Sequence, residues 1–558
     1  MMNPLKSITE MRNRGESRRL LDEVGYLWEG LDPSAGIGLR RSSALEINTK
    51  LCDSDFARKA KTADFIGQTW EFLLEANREE DKVMNILLAF FCALVARDPG
   101  SLVELVQRDS SQVVQTLFAL LASFPPKSDP LHLVSDANQL RKLGLSKKEQ
   151  NLAASIHSML RSSALFPPFT PLSTALLVSH TLASLPSASL KPTPANLKAI
   201  LDNLREHFSS FSPSLSAFVT ISQHSEKQNA LAHLHNLLSL FDSYLLRGWA
   251  LQAEGDININ QQQLEAARTD WFADGLTSFA ILTEVISSRS ATSEVEQGKA
   301  RQCTLVTLRL LVGLTHADKI WCGKVASREE CLLFIMRTIL RGHVDHMEKV
   351  KKHQSSKIKT EPSSSDDFPR LDNSYQEPTM PKDDGLDALC LALGLLTNLV
   401  QLEDEVKTTI RDITSSTRCR PTKCLEKCLC PNRISAPRAL VEMYTDLVLT
   451  SSAPVKQEPC LDSGQQTDLL AAGETRLLLS HLSLLFGLLM KDNSTNQRDI
   501  LDWLPESPTS LACDGQSGKV QMLIAHAKEF SYLYAESGDE GGSARDVIVF
   551  LEQLQNQL

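Results

Sequence analysis

Residues 386–400 read LDALCLALGLLTNLV, and this stretch decides the fold class. As a helix it is apolar on nearly every face, with only Asp387, Thr397 and Asn398 interrupting. A helix that is hydrophobic all round must be buried in protein or membrane. Fifteen residues are fewer than the roughly 20 that cross a bilayer. The stretch therefore predicts an inner helix with other helices packed on both sides.

Three variants of this stretch recur along the chain. They read ILLAFFCALV at 86–95, LVTLRLLVGLT at 305–315 and LSLLFGLLM at 482–490. Each of the four ends in a short polar break, and three contain a glycine that we expect to admit a neighbouring backbone. Recurring buried helices with polar turns are typical of a helical repeat array. We therefore predict an all-α, irregular HEAT/armadillo-like solenoid without a β-sheet.

Length and composition limit the fold, the partners and the cellular compartment that we expect for the chain. The 558 residues exceed one ordinary core, a limit that stacked repeats avoid. The net charge of −10 argues against a broad nucleic-acid footprint. Several of the 12 cysteines, such as Cys92, Cys303 and Cys390, lie in apolar helical runs, which is typical of a reducing compartment. No signal-peptide pattern opens the chain. We expect a soluble intracellular protein without a membrane span.

Three segments differ from the array in composition. Residues 1–17 are polar and are predicted to be flexible. Residues 350–384 and 451–470 are rich in polar residues and proline, and neither holds enough apolar surface to offset the entropy of folding. We predict that both are disordered insertions in one repeat domain covering 18–557.

The sequence offers no catalytic constellation. Gly36-Ile37-Gly38 lacks the third glycine of a dinucleotide loop, and Gly323-Lys324 lacks the rest of a P-loop. We therefore expect no catalytic residue, no cofactor, no small-molecule substrate and no enzymatic activity.

The cysteines at 419, 424, 428 and 430 form the best metal candidate. Their spacing is C-x4-C-x3-C-x-C, whereas structural zinc sites favour two C-x2–4-C pairs set well apart. Because Cys428 and Cys430 are only one residue apart, the spacing favours free thiols in a surface loop over a metal site. A zinc-dependent enzyme stays open as the least favoured hypothesis.

Charged residues gather on the first predicted helices. The ordinary interpretation of such a group is a solvated face, and the functional one is a docking patch for other proteins. The candidate protein-binding residues are Asp22, Glu23, Arg40, Arg41, Lys50, Arg58, Lys59 and Lys61.

The order of five segments resembles the wings apart-like (WAPL) family. They are DEVGYLWEGL at 22–31, RRSSALEINTKLC at 40–52, LVARD at 94–98, LGLLTNLV at 393–400, and the terminal set LP at 504–505, ML at 522–523 and VIVFLE at 547–552. The likeness covers nearly the whole chain and is weakest at about 125–290. The resemblance implies a HEAT-repeat protein of the nucleus.

What the family does is binding rather than covalent chemistry. The resemblance implies release of cohesin from chromatin, and hence a role in sister chromatid cohesion, chromosome segregation and the cell cycle. The implied partners are the kleisin, the ATPase heads and the HEAT-rich regulatory subunits of cohesin, with no direct nucleic acid. The family's N-terminal extension with aromatic-glycine motifs is missing here, so we expect a fragment, a short gene model or a member recruited differently. A generic armadillo-like adaptor is the alternative.

Both insertions carry the same short pattern. Lys359 lies in IKTE and Lys456 in VKQE, and both fit ψ-K-x-E, the acceptor pattern for conjugation of the ubiquitin-like modifier SUMO. The conjugating enzyme requires an extended, accessible lysine, which a disordered insertion supplies. We therefore predict modification at Lys359 and Lys456.

Replacing both lysines, Lys359→Arg and Lys456→Arg, is expected to abolish SUMO conjugation to the chain in cells. Arginine keeps the charge but cannot form the isopeptide bond. Immunoblotting of the purified chain for the modifier measures the effect, with Lys352→Arg, which lies outside the pattern, as the control. Conjugation that persists unchanged in the double variant would refute the prediction.

Overall fold

A computed structural model describes most of the chain. The described residues are 15, 18, 22, 24–61, 64–77, 81–108, 110–190, 193–209, 230–252, 270–290, 292–356, 384–451, 464–506, 515–534 and 541–558. The chain divides into two compact units, Met1–Gly275 and Leu276–Leu558. The predicted flexible segment 1–17 lies outside the described residues apart from Gly15.

Helices dominate both units, which confirms the all-α helical-repeat fold class. In unit 1 they are α1 (24–30), α2 (Ile37–Cys52), α3 (Ser54–Lys61), α4 (Phe65–Ala76), α5 (Lys82–Val95), α6 (Pro99–Arg108), α7 (Ser110–Ser123), α8 (Ala137–Lys142), α9 (Lys147–Ser162), α10 (Thr174–Ser184), α11 (Pro194–Ser209) and α12 (Leu231–Gln252), with 3₁₀ turns at Pro126–Ser128 and Ser187–Ser189. Helix α13 (Asp270–Ser287) contains the boundary between the units. Unit 2 continues with α14 (Glu294–Thr315), α15 (Lys319–Ala326), α16 (Glu329–Ser356), α17 (Asp384–Leu402), α18 (Asp404–Asp412), α19 (Ala436–Ser451), α20 (Gly464–Met490), α21 (Ser494–Trp503), α22 (Gln516–Tyr534) and α23 (Gly541–Gln557).

The repeats are triplets of a long, a short and a long helix. In unit 1 these are α2–α4 and α5–α7, and in unit 2 they are α14–α16, α17–α19 and α20–α22. The four apolar stretches found in the sequence lie in α5, α14, α17 and α20, the first helices of their triplets. Within a unit, the first helix of one triplet packs on the first helix of the next, as α2 does on α5, and α17 on both α14 and α20.

The polar breaks after the apolar stretches start the short helices. The side chains of Asp98, Asp318 and Asn493 each accept a hydrogen bond of 2.9–3.1 Å from a backbone N–H in the first turn that follows. Such N-caps satisfy donors that a helix start leaves without an intrahelical partner. Two of the breaks also turn through a left-handed residue, Ala317 with φ 52° and Asp492 with φ 60°. The breaks are therefore sharp corners between a buried long helix and a short one.

Helix α17 is the inner helix that its sequence predicts. Leu389, Leu393 and Leu396 are fully buried, and α17 packs against α14, α16 and α20. Two of its polar residues are paired inside: Asn398 Nδ2 donates to the Val312 carbonyl at 3.0 Å, and Thr397 pairs with His481, whereas Asp387 is exposed. At 19 residues the helix is longer than the fifteen predicted, and by length and composition alone Gly385–Leu402 would suffice to cross a membrane. The length argument was therefore wrong, and the packing identifies α17 as a core helix.

The structure corrects several predicted boundaries. Residues 54–61 and 65–76 form two separate helices, α3 and α4, and Asp64 before α4 adopts a left-handed φ of 52°. Helix α16 continues to Ser356, where Lys351 and Lys352 suit the negative end of its dipole, and α20 begins at Gly464. Residues 350–356 and 464–470 are therefore helical rather than disordered, and the remainder of both insertions, 357–383 and 452–463, lies outside the described residues.

Two further corrections concern strands and glycines. A two-residue antiparallel ladder pairs β1 (Thr414–Ser415) with β2 (Ile434–Ser435), so the chain is not free of strands. Of the three glycines expected to lie against a neighbour, Gly487 does, since a Cβ there would collide with Val547 of α23. At Gly394 a Cβ would meet Val312 only at an ordinary 3.9 Å.

The tightest helix approach that involves backbone lies at Gly342 of α16. A Cβ at this position would be 2.8 Å from the Leu389 Cβ and 3.0 Å from the Gly385 carbonyl oxygen, both on α17. Helix α16 can therefore pack closely on α17 only because residue 342 has no side chain.

We expect Gly342→Ala to lower the free energy of unfolding by about 1–3 kcal/mol, because the added methyl must push α16 away from α17. The matched control is Gly473→Ala in α20, where a Cβ meets nothing within 4 Å and alanine should stabilise the helix by up to about 1 kcal/mol. Urea unfolding of the full chain, followed by circular dichroism, measures both. A Gly342→Ala midpoint at or above that of the unchanged chain would contradict the close packing.

Candidate docking surface on the first helices

The structure separates the basic residues of α2 and α3 into inward and outward sets. Arg40 on α2 is buried, at 5% exposure, and its Nη1 donates to the Ala76 carbonyl at 2.7 Å. Ala76 ends α4, so the guanidinium satisfies a carbonyl at a helix C-terminus, where positive charge is favourable. Arg40 therefore holds α2 and α4 together and does not face a partner.

Arg41 is also structural. Its guanidinium pairs with Asp81 and, at 2.7 Å, with Glu149. Asp81 is the N-cap of α5, and Glu149 completes the capping box of α9 with Ser146. A single side chain on α2 thus links the starts of α5 and α9, which are far apart in sequence.

The electrostatics at Glu149 follow from this arrangement. Burial acts to raise the pKa of Glu149, but hydrogen bonds from Ser146 and Arg41 outweigh it, so the pKa lies below its usual value. A carboxyl group with a lowered folded-state pKa stabilises the fold above its unfolded pKa, and that contribution is lost as pH falls. Acid should therefore loosen the junction of α2, α5 and α9.

The outward set lies on α3. Arg58 and Lys59 are exposed, and Arg58 makes only a surface ion pair with Asp55, at 3.0 Å. Lys61 is also exposed and pairs with Asp98 at 2.7 Å, and this pair, with Ser101, lowers the pKa of Asp98 to about 2. Helix α3 therefore presents three cations to solvent within four residues.

The remaining predicted residues do not join one patch. Lys50 on α2 is half-buried, with its Nζ 5.8 Å from the centre of the Phe56 ring, a cation–π contact. Asp22 is helical and exposed, whereas Glu23 lies outside the described residues. The modification candidates Lys359 and Lys456 lie outside them as well.

Another exposed arginine of these first helices forms ion pairs that charge clustering does not indicate. Arg108, at the end of α6, pairs with Asp64, the N-cap of α4, at 2.7 Å and with Glu71 of α4 at 2.9 Å. Charge spacing along the chain could not reveal it, since Arg108 comes 44 residues after Asp64.

Unit 2 holds a polar cleft of about 500 Å³ between α13, α14, α16 and α17. Its lining is of mixed charge and contains neither histidine nor cysteine. The charged lining residues are Glu284, Arg301, Arg341, Asp345, Glu348, Lys349 and Lys352.

One known protein family matches this chain over most of its length. The family model described as "Wings apart-like protein regulation of heterochromatin" matches residues 4–360. The chain belongs to the wings apart-like family. A search of the curated proteins finds no match. The matched range contains every described helix from α1 to α16, and with them the basic surface of α3.

Membership in the wings apart-like family establishes the general class of protein to which this chain belongs. The family's description concerns regulation of heterochromatin, which fits a regulatory protein acting at chromatin. The segment LGLLTNLV at 393–400, on which the sequence resemblance relied most, lies in α17, beyond the matched range. The resemblance is therefore confirmed on the N-terminal segments, which lie in α1, in α2 and at the end of α5.

The half-buried Arg41 and the exposed Arg58 are expected to differ in how much they stabilise the fold. Arg41→Ala should lower the free energy of unfolding by about 1–3 kcal/mol, because Asp81 and Glu149 lose a half-buried partner. Arg58→Ala, the matched control on the exposed face, should stay within about 0.5 kcal/mol of the unchanged chain. Thermal unfolding at pH 7 and at pH 4.5 measures both, and the Arg41→Ala penalty should shrink at the lower pH. Equal stability of the two variants would contradict the assignment.

Proposed function

We propose that this chain is a cohesin-release factor: it binds cohesin and its HEAT-rich regulatory subunits and favours opening of the ring, so that cohesin leaves chromatin. The observation that carries the proposal is the family match over 4–360. The site of action is the nucleus, on chromatin. The partners are the kleisin, the ATPase heads and the regulatory subunits, and the work is done by binding alone.

The exposed face of α3 is the docking surface in this proposal. It is defined by Arg58, Lys59 and Lys61, which are solvent-exposed on a short helix held from behind by the buried Ala60. A rigid basic face speeds encounter with an acidic partner surface and selects against basic ones. Arg40 and Arg41, which are close to these residues in the sequence, do not belong to this surface, because their guanidinium groups are held inside by Ala76, Asp81 and Glu149.

The acidic balance of the whole chain supports a protein partner. With a net charge of −10, the chain is repelled by nucleic acid over most of its surface, whereas a local basic face can still bind an acidic protein segment. Screening by salt is expected to weaken this contact.

A generic armadillo-like adaptor remains the second candidate, and one observation favours it. The long–short–long triplets of unit 2 are the helix pattern of armadillo repeats. Against it, the long first helices of those triplets begin at Glu294, Asp384 and Gly464, intervals far longer than the roughly 40–47 residues of regular repeats.

Pull-down of purified cohesin subunits with the full chain tests the proposal. Reversing the exposed pair, Arg58→Glu with Lys59→Glu, should weaken binding about tenfold or more and reduce its salt dependence. The control is Lys198→Glu, which reverses an equally exposed lysine on α11 of the same unit and should bind normally. Circular dichroism confirms that all variants are folded.

The two ways of failing are distinct. If the unchanged chain captures no cohesin subunit, the release function is wrong and the adaptor is favoured. If it captures cohesin and the α3 variant binds equally well, the function stands and the docking surface lies elsewhere.

A further inference from the structure

Four cysteines converge in the loop between β1 and β2. The Sγ atoms of Cys419, Cys424, Cys428 and Cys430 all lie within 4.8 Å of one another, and those of Cys424 and Cys430 are 4.0 Å apart. A tetrahedral Zn²⁺ bound by thiolates at about 2.3 Å has sulfur–sulfur edges of about 3.8 Å. The four sulfurs are therefore close enough together to bind one such ion.

In the folded chain, the short spacing between Cys428 and Cys430 does not prevent both from binding one metal ion. Cys428 and Cys430 lie in a stretch without helix or turn, and in extended backbone residues i and i+2 point to the same side. The single intervening residue, Leu429, accordingly points outward, at 73% exposure. Two cysteines one residue apart can thus serve one ion.

The loop has almost nothing else to hold it. Between the two strands, residues 416–433 have only four buried positions, Cys419, Pro421, Cys424 and Cys428, and three of these are cysteines. The ladder of β1 and β2 closes the base of the loop but does not reach its interior. A segment of this length without an apolar core needs a cross-link to be ordered.

The groups around the sulfurs suit an anionic centre. The Leu429 N–H donates to Cys424 Sγ at 3.3 Å, the kind of hydrogen bond that a metal-bound thiolate accepts. Arg337 of α16, at 1% side-chain exposure, donates through Nη1 to the Cys424 carbonyl at 2.5 Å. The same guanidinium is held by Glu284 at 2.6 Å. A buried cation is therefore fixed against the loop.

The loop sequence adds positive charge around the cysteines. Residues 416–433 contain five basic residues and one acidic residue, Glu426. A centre of one divalent ion and four thiolates has a net charge of −2, which these cations offset. The basic residues are Arg418, Arg420, Lys423, Lys427 and Arg433.

We propose that Cys419, Cys424, Cys428 and Cys430 bind one Zn²⁺ ion as four thiolates, in a closed structural site that fixes the loop 416–433 against α16. Sulfur-only tetrahedral coordination selects zinc over the harder divalent cations. Each thiol that ligates gives its proton to solvent, and the ion undergoes no redox change. The site leaves no open coordination position and carries no catalysis. This inference does not depend on the proposed cohesin function.

Metal analysis of the full chain, purified under reducing conditions without added chelator, is the first test. We expect about one zinc ion per chain. The double variant Cys424→Ser with Cys428→Ser should lose it, whereas Cys52→Ser, a half-buried cysteine of α2 outside the cluster, should retain it. Replacing zinc by Co²⁺ should give the absorption of a tetrahedral thiolate site in the unchanged chain and in Cys52→Ser only.

Trypsin reports on the loop without relying on a variant that folds. Lys423 and Lys427 are exposed cleavage positions inside the cluster. Removing the metal with 1,10-phenanthroline should speed cleavage at both by about tenfold or more, since binding energy at a structural zinc site is folding energy. Cleavage after Lys198, in unit 1, should keep its rate.

Two results would overturn the proposal. One is a chain with well below stoichiometric zinc whose four loop thiols react immediately with a thiol reagent. The other is an intact mass showing that the four cysteines form two disulfides. Unchanged cleavage after chelation of a zinc-loaded chain would show that the ion does not order the loop.

Discussion

Burial of the first helix of each triplet is the constraint on which the rest of the structure depends. Helix α17 is apolar on nearly every face, so it is stable only while α14, α16 and α20 cover it. Each of those helices must in turn be covered by its own neighbours. The result is a chain of mutual dependence within a unit, in which stability comes from interfaces between successive repeats.

The same constraint determines where charge can be used. Side chains that emerge near buried helix ends are drawn into capping and bridging, as Arg40 and Arg41 are on α2. Arg337 is fully buried, and its guanidinium pairs with Glu284 and with the carbonyl of Cys424 in the loop. Removing one member of such a pair would leave an uncompensated charge inside the protein. On the short second helix α3, by contrast, Arg58, Lys59 and Lys61 are exposed to solvent.

The sequence was most informative where one physical requirement dominates. The all-round apolar pattern of 386–400 predicted both the helix and its burial, because no other environment accommodates it. The short helices α8, α15 and α18 give no such signal, since six to nine residues of mixed polarity show no clear period. The polar breaks were recognised as turns, but their role as N-caps depends on backbone geometry that no periodicity encodes.

For the candidate sites too, the sequence indicates the residues, but only the folded structure shows which of them come together. Charge clustering singled out α2 and α3 as candidates but could not tell Arg41 from Arg58, because the partners of Arg41 come 40 and 108 residues later in the chain. For the cysteines, linear spacing suggested four unrelated thiols. Their convergence follows from the β1–β2 ladder, whose four residues are too few to produce an alternating pattern in the sequence.

Hydrogen exchange of the full chain, alone and with cohesin subunits, tests the central claim most directly. The account predicts that the amides of α17 exchange slowest in the free chain and do not change on binding, because its burial is internal to unit 2. It also predicts that exchange in α3 slows when a partner docks there. Rapid exchange throughout α17 in the free chain would show that α14, α16 and α20 do not cover it, and it would contradict the packing of the repeats.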